Sequence, residues 1–109
     1  MTKAQVGARI ARKIQTTEHA VDRAMVAASE LLQAMLDGRR EAAVGADVGH
    51  DEISDVVASL AQLNGARGLV VRSHGGLARV AESLGVSWRF SGPHEQKTVS
   101  APTPLAANG

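Results

Sequence analysis

The sequence predicts an all-α fold: a long antiparallel helical hairpin that dimerises into a four-helix bundle. Apolar residues recur every seven positions in both halves of the chain, and no proline occurs before Pro93. The apolar residues are mostly alanine, valine and leucine, and alanine is the strongest helix former. A heptad repeat of this kind is typical of helices that pack side by side.

The first helix is predicted over residues 3–44. Its two apolar rows are Ile14, Val21, Ala28, Met35 and Ala42, and Ile10, Thr17, Ala24 and Leu31. Thr2 and Gln5 have the spacing of a capping box at its start. Gly38 offers an earlier end, but the first apolar row continues beyond it, so we expect the helix to end near Gly45.

The second helix is predicted over residues 50–85. Asp51 and Glu52 suit its first turn because they complement the positive end of the helix dipole. Its heptad d positions are Val56, Leu63, Val70, Leu77 and Leu84, and its a positions are Ile53, Leu60, Arg67, His74 and Ala81. Five successive apolar d positions favour a helix over a strand.

Glycines in the second helix support an alternative structure. Gly65, Gly68, Gly75 and Gly76 together cost roughly 4 kcal/mol relative to alanine. In the alternative, residues 69–72 form a strand, 73–76 a turn and 77–84 a short helix, with Val86, Trp88 and Phe90 in a second strand. Two short strands make a weak sheet, so we favour the long helix, with a kink near Gly75 as the intermediate case.

The domain is predicted to span residues 1–91, with a short extended segment at 86–90. Residues 92–109 hold all three prolines together with Ser, Thr, Asn and Gly. This composition predicts a flexible tail.

One hairpin leaves much of the first helix's apolar surface uncovered. We therefore expect a homodimer, with Met25, Leu32, Met35 and Leu36 in the interface; the alternative is that residues 86–90 fold back over this surface. Five alanines of the first helix predict close approach of the two helices: Ala20, Ala24, Ala27, Ala28 and Ala34. Arg67 and His74 are polar residues in an apolar row, where such residues fix register and oligomeric state.

Charge is distributed unevenly along a chain whose net charge is +1. Folded as a hairpin, residues 1–17 with 63–91 carry +7, and residues 18–62 carry −6. Three explanations remain open: a solvated surface, head-to-tail pairing of two copies, or an anionic partner such as nucleic acid. Such a partner would contact the basic residues of the first helix, Lys3, Arg9, Arg12 and Lys13.

Few patterns in the chain indicate chemistry. The absence of cysteine excludes disulfides, thiolate zinc sites and cysteine nucleophiles. We expect the two helices to pair about a turn near residue 47, so that the numbers of facing residues add to about 94. This pairing brings His74 near His19, Glu18 and Asp22. That set lacks the Glu-x-x-His signature of metal-binding bundles, and residues 73–76 match no phosphate-loop fingerprint. We expect no catalytic residue, cofactor or metal site.

Residues 77–87 resemble the first helix and turn of the helix-turn-helix family of DNA-binding proteins. In that family a recognition helix follows and enters the major groove. Here the continuation, Trp-Arg-Phe-Ser-Gly-Pro, is too short for such a helix, so the resemblance implies no contact residues.

The expected function is that of a non-enzymatic, self-associating protein with a structural or adaptor role. A nucleic-acid-associated regulator and a metal-binding bundle are the alternatives. No apolar run approaches the roughly 20 residues of a bilayer span, and the N-terminal residues do not resemble a signal peptide. We expect a cytoplasmic protein.

Overall fold

The computed structural model describes residues 1–86, which contain two long helices and, within that range, no strand. Helix α1 is Lys3–Glu41 and helix α2 is His50–Ser83. The all-α prediction is confirmed for these residues. The predicted flexible tail at 92–109, and the predicted extended segment beyond Val86, lie outside the described residues.

The start of α1 is fixed by a reciprocal capping box. The backbone N–H of Thr2 donates to Oε1 of Gln5 (2.8 Å), and the backbone N–H of Gln5 donates to Oγ1 of Thr2 (3.1 Å). The two side chains thereby satisfy backbone donors that have no partner within the helix. The predicted capping box is confirmed.

The end of α1 lies at Glu41, three residues before the predicted end. Val44 N–H donates to the carbonyl of Arg39 (3.2 Å), and Ala43 N–H donates to the carbonyl of Arg40 (3.0 Å). These two bonds form a Schellman motif, whose turn residue must be left-handed. Ala43 occupies that position with a φ of 58°, so the expected end near Gly45 was wrong.

Helix α2 continues without interruption through its four internal glycines. Residues 69–72 are helical, so the strand-and-turn alternative was wrong. Asp51 and Glu52 lie in the first turn as predicted. The helix ends at Ser83 instead of residue 85, because Gly85 takes a left-handed φ of 73° and Val86 N–H donates to the carbonyl of Ala81 (2.8 Å).

The described residues belong to two compact units that divide both helices. Unit 1 contains Met1–Thr17 and residues 71–86, and unit 2 contains Glu18–Val70. Unit 2 includes the eight-residue connection between the helices, residues 42–49.

Unit 2 is an antiparallel helix pair. Arg67 Nε donates to Oδ1 of Asp22 at 2.7 Å. Asp22 lies 19 residues before the end of α1 at Glu41, and Arg67 lies 17 residues after the start of α2 at His50. Because the two residues are almost equally far from the connection, the α1 and α2 segments of unit 2 must run in opposite directions.

Unit 1 contains the two most deeply buried residues of the described chain. Ala11 is 1% exposed and Ala81 is 6% exposed. Close approach in this unit depends on Gly7, because a Cβ there would lie 3.0 Å from Cγ1 of Val86. Small residues therefore occupy the tightest positions of unit 1.

The inward face of α1 matches one predicted apolar row closely and the other only in part. Ile14, Val21, Ala28 and Met35 of the first row are half-buried, but Ala42 lies beyond the helix and is exposed. In the second row Ile10 and Ala24 are half-buried, whereas Thr17 and Leu31 are exposed. The residues one position later are all half-buried or buried: Ala11, Glu18, Met25 and Leu32.

The inward face of α2 follows the predicted heptad. Eight of its ten positions are half-buried or buried: Ile53, Val56, Leu60, Leu63, Val70, His74, Leu77 and Ala81. The exceptions are Arg67, which is exposed and paired with Asp22, and Leu84, which follows the helix end.

Candidate interaction surface

Large apolar side chains of the described residues are poorly covered. None of them is fully buried, and the only buried apolar residues there are two alanines. Eleven large apolar residues are instead exposed: Met1, Val26, Leu31, Leu36, Val44, Val48, Val57, Leu69, Val71, Val80 and Leu84. Both units contribute to this set, so each has apolar surface available for a partner.

In unit 2, one side of α1 is lined entirely by small apolar residues and leucine. These residues are spaced by three or four positions and therefore share a helix face. We call them the alanine face: Ala20, Ala24, Ala27, Leu31 and Ala34. All are exposed except Ala24, which is half-buried, and Leu31 is 53% exposed. The alanines predicted to lie between the helices are thus mostly on the outside.

The four residues predicted to lie in a dimer interface differ in exposure. Met25, Leu32 and Met35 are half-buried within the single chain, and Leu36 is 41% exposed. Their contact with a second copy stays a prediction. The exposed large apolar residues of α1 are Val26, Leu31 and Leu36.

The two polar residues predicted in the apolar row have different surroundings. The side chains of Arg67 and Asp22 are 48% and 50% exposed, so their ion pair lies at the rim of the helix contact. His74 is half-buried in unit 1. The predicted register did not pair Asp22 with Arg67, since it made the numbers of facing residues add to about 94, whereas these two add to 89.

The basic residues predicted to contact an anion lie on the surface of unit 1. Lys3, Arg9, Arg12 and Lys13 are all exposed on α1. A shallow open hollow of about 510 Å³ is lined by Met1, Gln5, Ala8, Arg9 and Arg12. The described lining residues come from one short stretch of chain, and the hollow is open to solvent.

The described residues of the two units carry opposite net charges, with histidine counted as neutral. Unit 1 has six basic residues and one acidic residue there, which gives +5. Unit 2 has nine acidic residues and four arginines, which gives −5. Ion pairs within unit 2, such as Arg40 with Asp37 at 2.7 Å, remove charges in equal numbers and leave this excess unchanged.

The described part of the chain contains neither a metal-binding cluster nor a membrane-spanning helix. No group of three or more His, Asp or Glu there is arranged to hold a metal ion. Neither α1 nor α2 contains an apolar stretch of the length needed to cross a bilayer. The features that stand out in residues 1–86 are therefore exposed apolar surface and separated charge.

Comparison with known proteins gives no match to a family model, to a curated protein or to a solved structure.

Proposed function

We propose that this protein works by self-association, as a non-enzymatic helical module with a structural or adaptor role. One observation carries the proposal: residues 1–86 form two long helices whose large apolar side chains are not fully buried anywhere in that range. Helices in proteins owe most of their stability to the packing of an apolar face. A second copy supplies the surface that one chain lacks.

The buried side chains of the described residues are small. Fully burying one leucine or valine stabilises a fold by about 1.5–3 kcal/mol, whereas the buried residues within 1–86 are alanines. Exposed apolar patches of appreciable size mark sites of association. A homodimer in the form of a four-helix bundle is the arrangement we propose, because two antiparallel hairpins cover each other's apolar faces.

The alanine face of α1 is the contact surface that we propose within unit 2. Leu31 lies in this face, whereas Val26, which is 58% exposed, lies about 140° around the helix, five residues away at about 100° per residue. The two residues are similar in exposure and belong to the same helix. They therefore form a matched pair for a test.

The experiment measures molar mass by light scattering over a range of protein concentrations. We expect at least twice the 11.3 kDa of one chain. Leu31→Gln should weaken association, and Val26→Gln should leave it nearly unchanged. A wild-type mass of one chain at every concentration, with helicity retained by circular dichroism, would overturn the proposed function. A larger effect of Val26→Gln would overturn the proposed contact face.

Nucleic-acid binding is the second candidate, favoured by the exposed basic residues of α1 in a unit that carries +5. Contacts with phosphates make such binding strongly dependent on salt. Titration with duplex DNA at low and moderate salt tests it. Loss of binding in Arg12→Gln but not in the control Arg39→Gln, which lies in the acidic unit, would support this candidate. No binding at low salt would dismiss it.

A further inference from the structure

We propose that two copies associate reciprocally, with unit 1 of each copy against unit 2 of the other. This inference rests on the proposed self-association and adds the choice of surfaces. The observation behind it is that one chain carries +5 on the described residues of unit 1 and −5 on unit 2.

Neither unit can neutralise its own charge excess. Unit 1 has one acidic residue, Glu82, among its described residues, and two of the four arginines in unit 2 already pair with Asp22 and Asp37. The excess charge must therefore be balanced by solvent ions or by a partner. Opposed charge across an interface speeds association and suppresses incorrect pairings.

A second copy fits both units, whereas a polyanion fits only unit 1. Each unit also supplies apolar area for the same contact. Unit 1 exposes Val71, Val80 and Leu84, and unit 2 exposes Leu31, Leu36, Val57 and Leu69. Apolar contact gives affinity, and the opposite charges select the pairing of unit 1 of one copy with unit 2 of the other.

Reciprocal pairing also satisfies two-fold symmetry. In a closed dimer each contact occurs twice, so unit 1 of the first copy meets unit 2 of the second and the reverse. The alternative places each unit against its own equivalent. That arrangement sets +5 against +5 and −5 against −5, and juxtaposed like charges disfavour an interface.

The test uses two charge-reversal variants at exposed positions. The first variant changes the net charge of the described residues of unit 1 from +5 to −1. It combines Arg9→Glu, Arg12→Glu and Lys13→Glu. The second variant changes the net charge of unit 2 from −5 to +1. It combines Glu30→Lys, Glu41→Lys and Asp55→Lys. Self-association of each variant, and association of the two mixed in equal amounts, is measured by sedimentation velocity.

We expect each variant alone to self-associate about tenfold or more weakly than the wild type, since three charges at an interface are reversed. Mixing the variants should restore association, because each unit again faces opposite charge. Stronger self-association of either variant alone would overturn the inference in favour of like-with-like pairing. Unchanged association of both variants would overturn it too, while leaving the proposed self-association intact.

Two controls separate this inference from other causes. Circular dichroism checks that each variant keeps its helicity. The neutral set Arg9→Gln, Arg12→Gln and Lys13→Gln removes the same three positive charges as the first variant without introducing negative ones. The neutral set should weaken association less than the reversal does. Raising the salt concentration should weaken wild-type association; a wild type that is monomeric under all conditions would overturn both proposals.

Discussion

Arg67 Nε donates to Asp22 Oδ1 at 2.7 Å and so joins α2 to α1 across 45 residues of sequence. The pair fixes which turn of one helix faces which turn of the other within unit 2. Both side chains are about half exposed, so solvent screens the charges. The pair therefore bears on register more than on stability.

A double-mutant cycle on Asp22→Asn and Arg67→Gln tests this relationship. Exposed ion pairs contribute roughly 0.2–1 kcal/mol, and we expect a coupling energy in this range. Chemical denaturation of the four proteins at one protein concentration gives the value. It should decrease as salt is raised. A coupling energy of zero at low salt would show that the ion pair is not formed in solution.

Ala43→Gly should stabilise the protein by about 1 kcal/mol. Ala43 has a φ of 58°, a conformation that disfavours any residue with a Cβ and suits glycine at a helix C-terminus. The measurement is thermal unfolding at fixed concentration. Gly85→Ala is the reciprocal control, because Gly85 occupies the equivalent position of α2 with a φ of 73°. This substitution should lower the free energy of unfolding by a similar amount. A gain from Gly85→Ala would contradict this reasoning.

Gly65→Ala and Gly68→Ala should each stabilise α2 by about 0.5–1 kcal/mol, since alanine is the better residue in a helix interior. A Cβ at either position would meet nothing within 4 Å, so no contact opposes the gain. Gly7→Ala is the control, because its Cβ would lie 3.0 Å from Val86 Cγ1 and crowding offsets the benefit. Equal gains at all three positions would argue against the close approach at Gly7.

Leu63→Asp should unfold the helix pair or weaken it severely. Leu63 is half-buried at a central heptad position of α2, and a charge there is costly to remove from water. The neighbouring Gln62→Asp serves as the control, because Gln62 is exposed. Far-UV circular dichroism during thermal unfolding compares the two. A stable, fully helical Leu63→Asp protein would show that the heptad assignment of α2 is mistaken.

Much of the helix prediction followed from local patterns. The capping box at Thr2 and Gln5, the acidic first turn of α2 and the heptad of α2 all appear in the structure as expected. Each is recognisable because its physical cause acts between residues a few positions apart. The four internal glycines of α2 argued against a continuous helix. The helix is nevertheless continuous, although each glycine costs about 1 kcal/mol relative to alanine.

The end of α1 and its inward face were less predictable. The left-handed residue that ends α1 is Ala43 and not a glycine, so no local pattern marks this helix end. The predicted end at residue 44 is therefore three residues later than the observed end at Glu41. Helix α1 is apolar over a sector wider than one partner helix covers. The rows through Leu31 and through Leu32 are therefore equally plausible from sequence alone.

The sequence by itself determined two helices, their approximate bounds and the separation of positive from negative charge, because these depend on residues near one another in the chain. Tertiary structure decided that Leu32 is covered while Leu31 is exposed, and that Arg67 meets Asp22. The reason is that a contact between helices depends on where the second helix lies. Asp22 and Arg67 add to 89 instead of about 94, and this shift changes which side chains face each other.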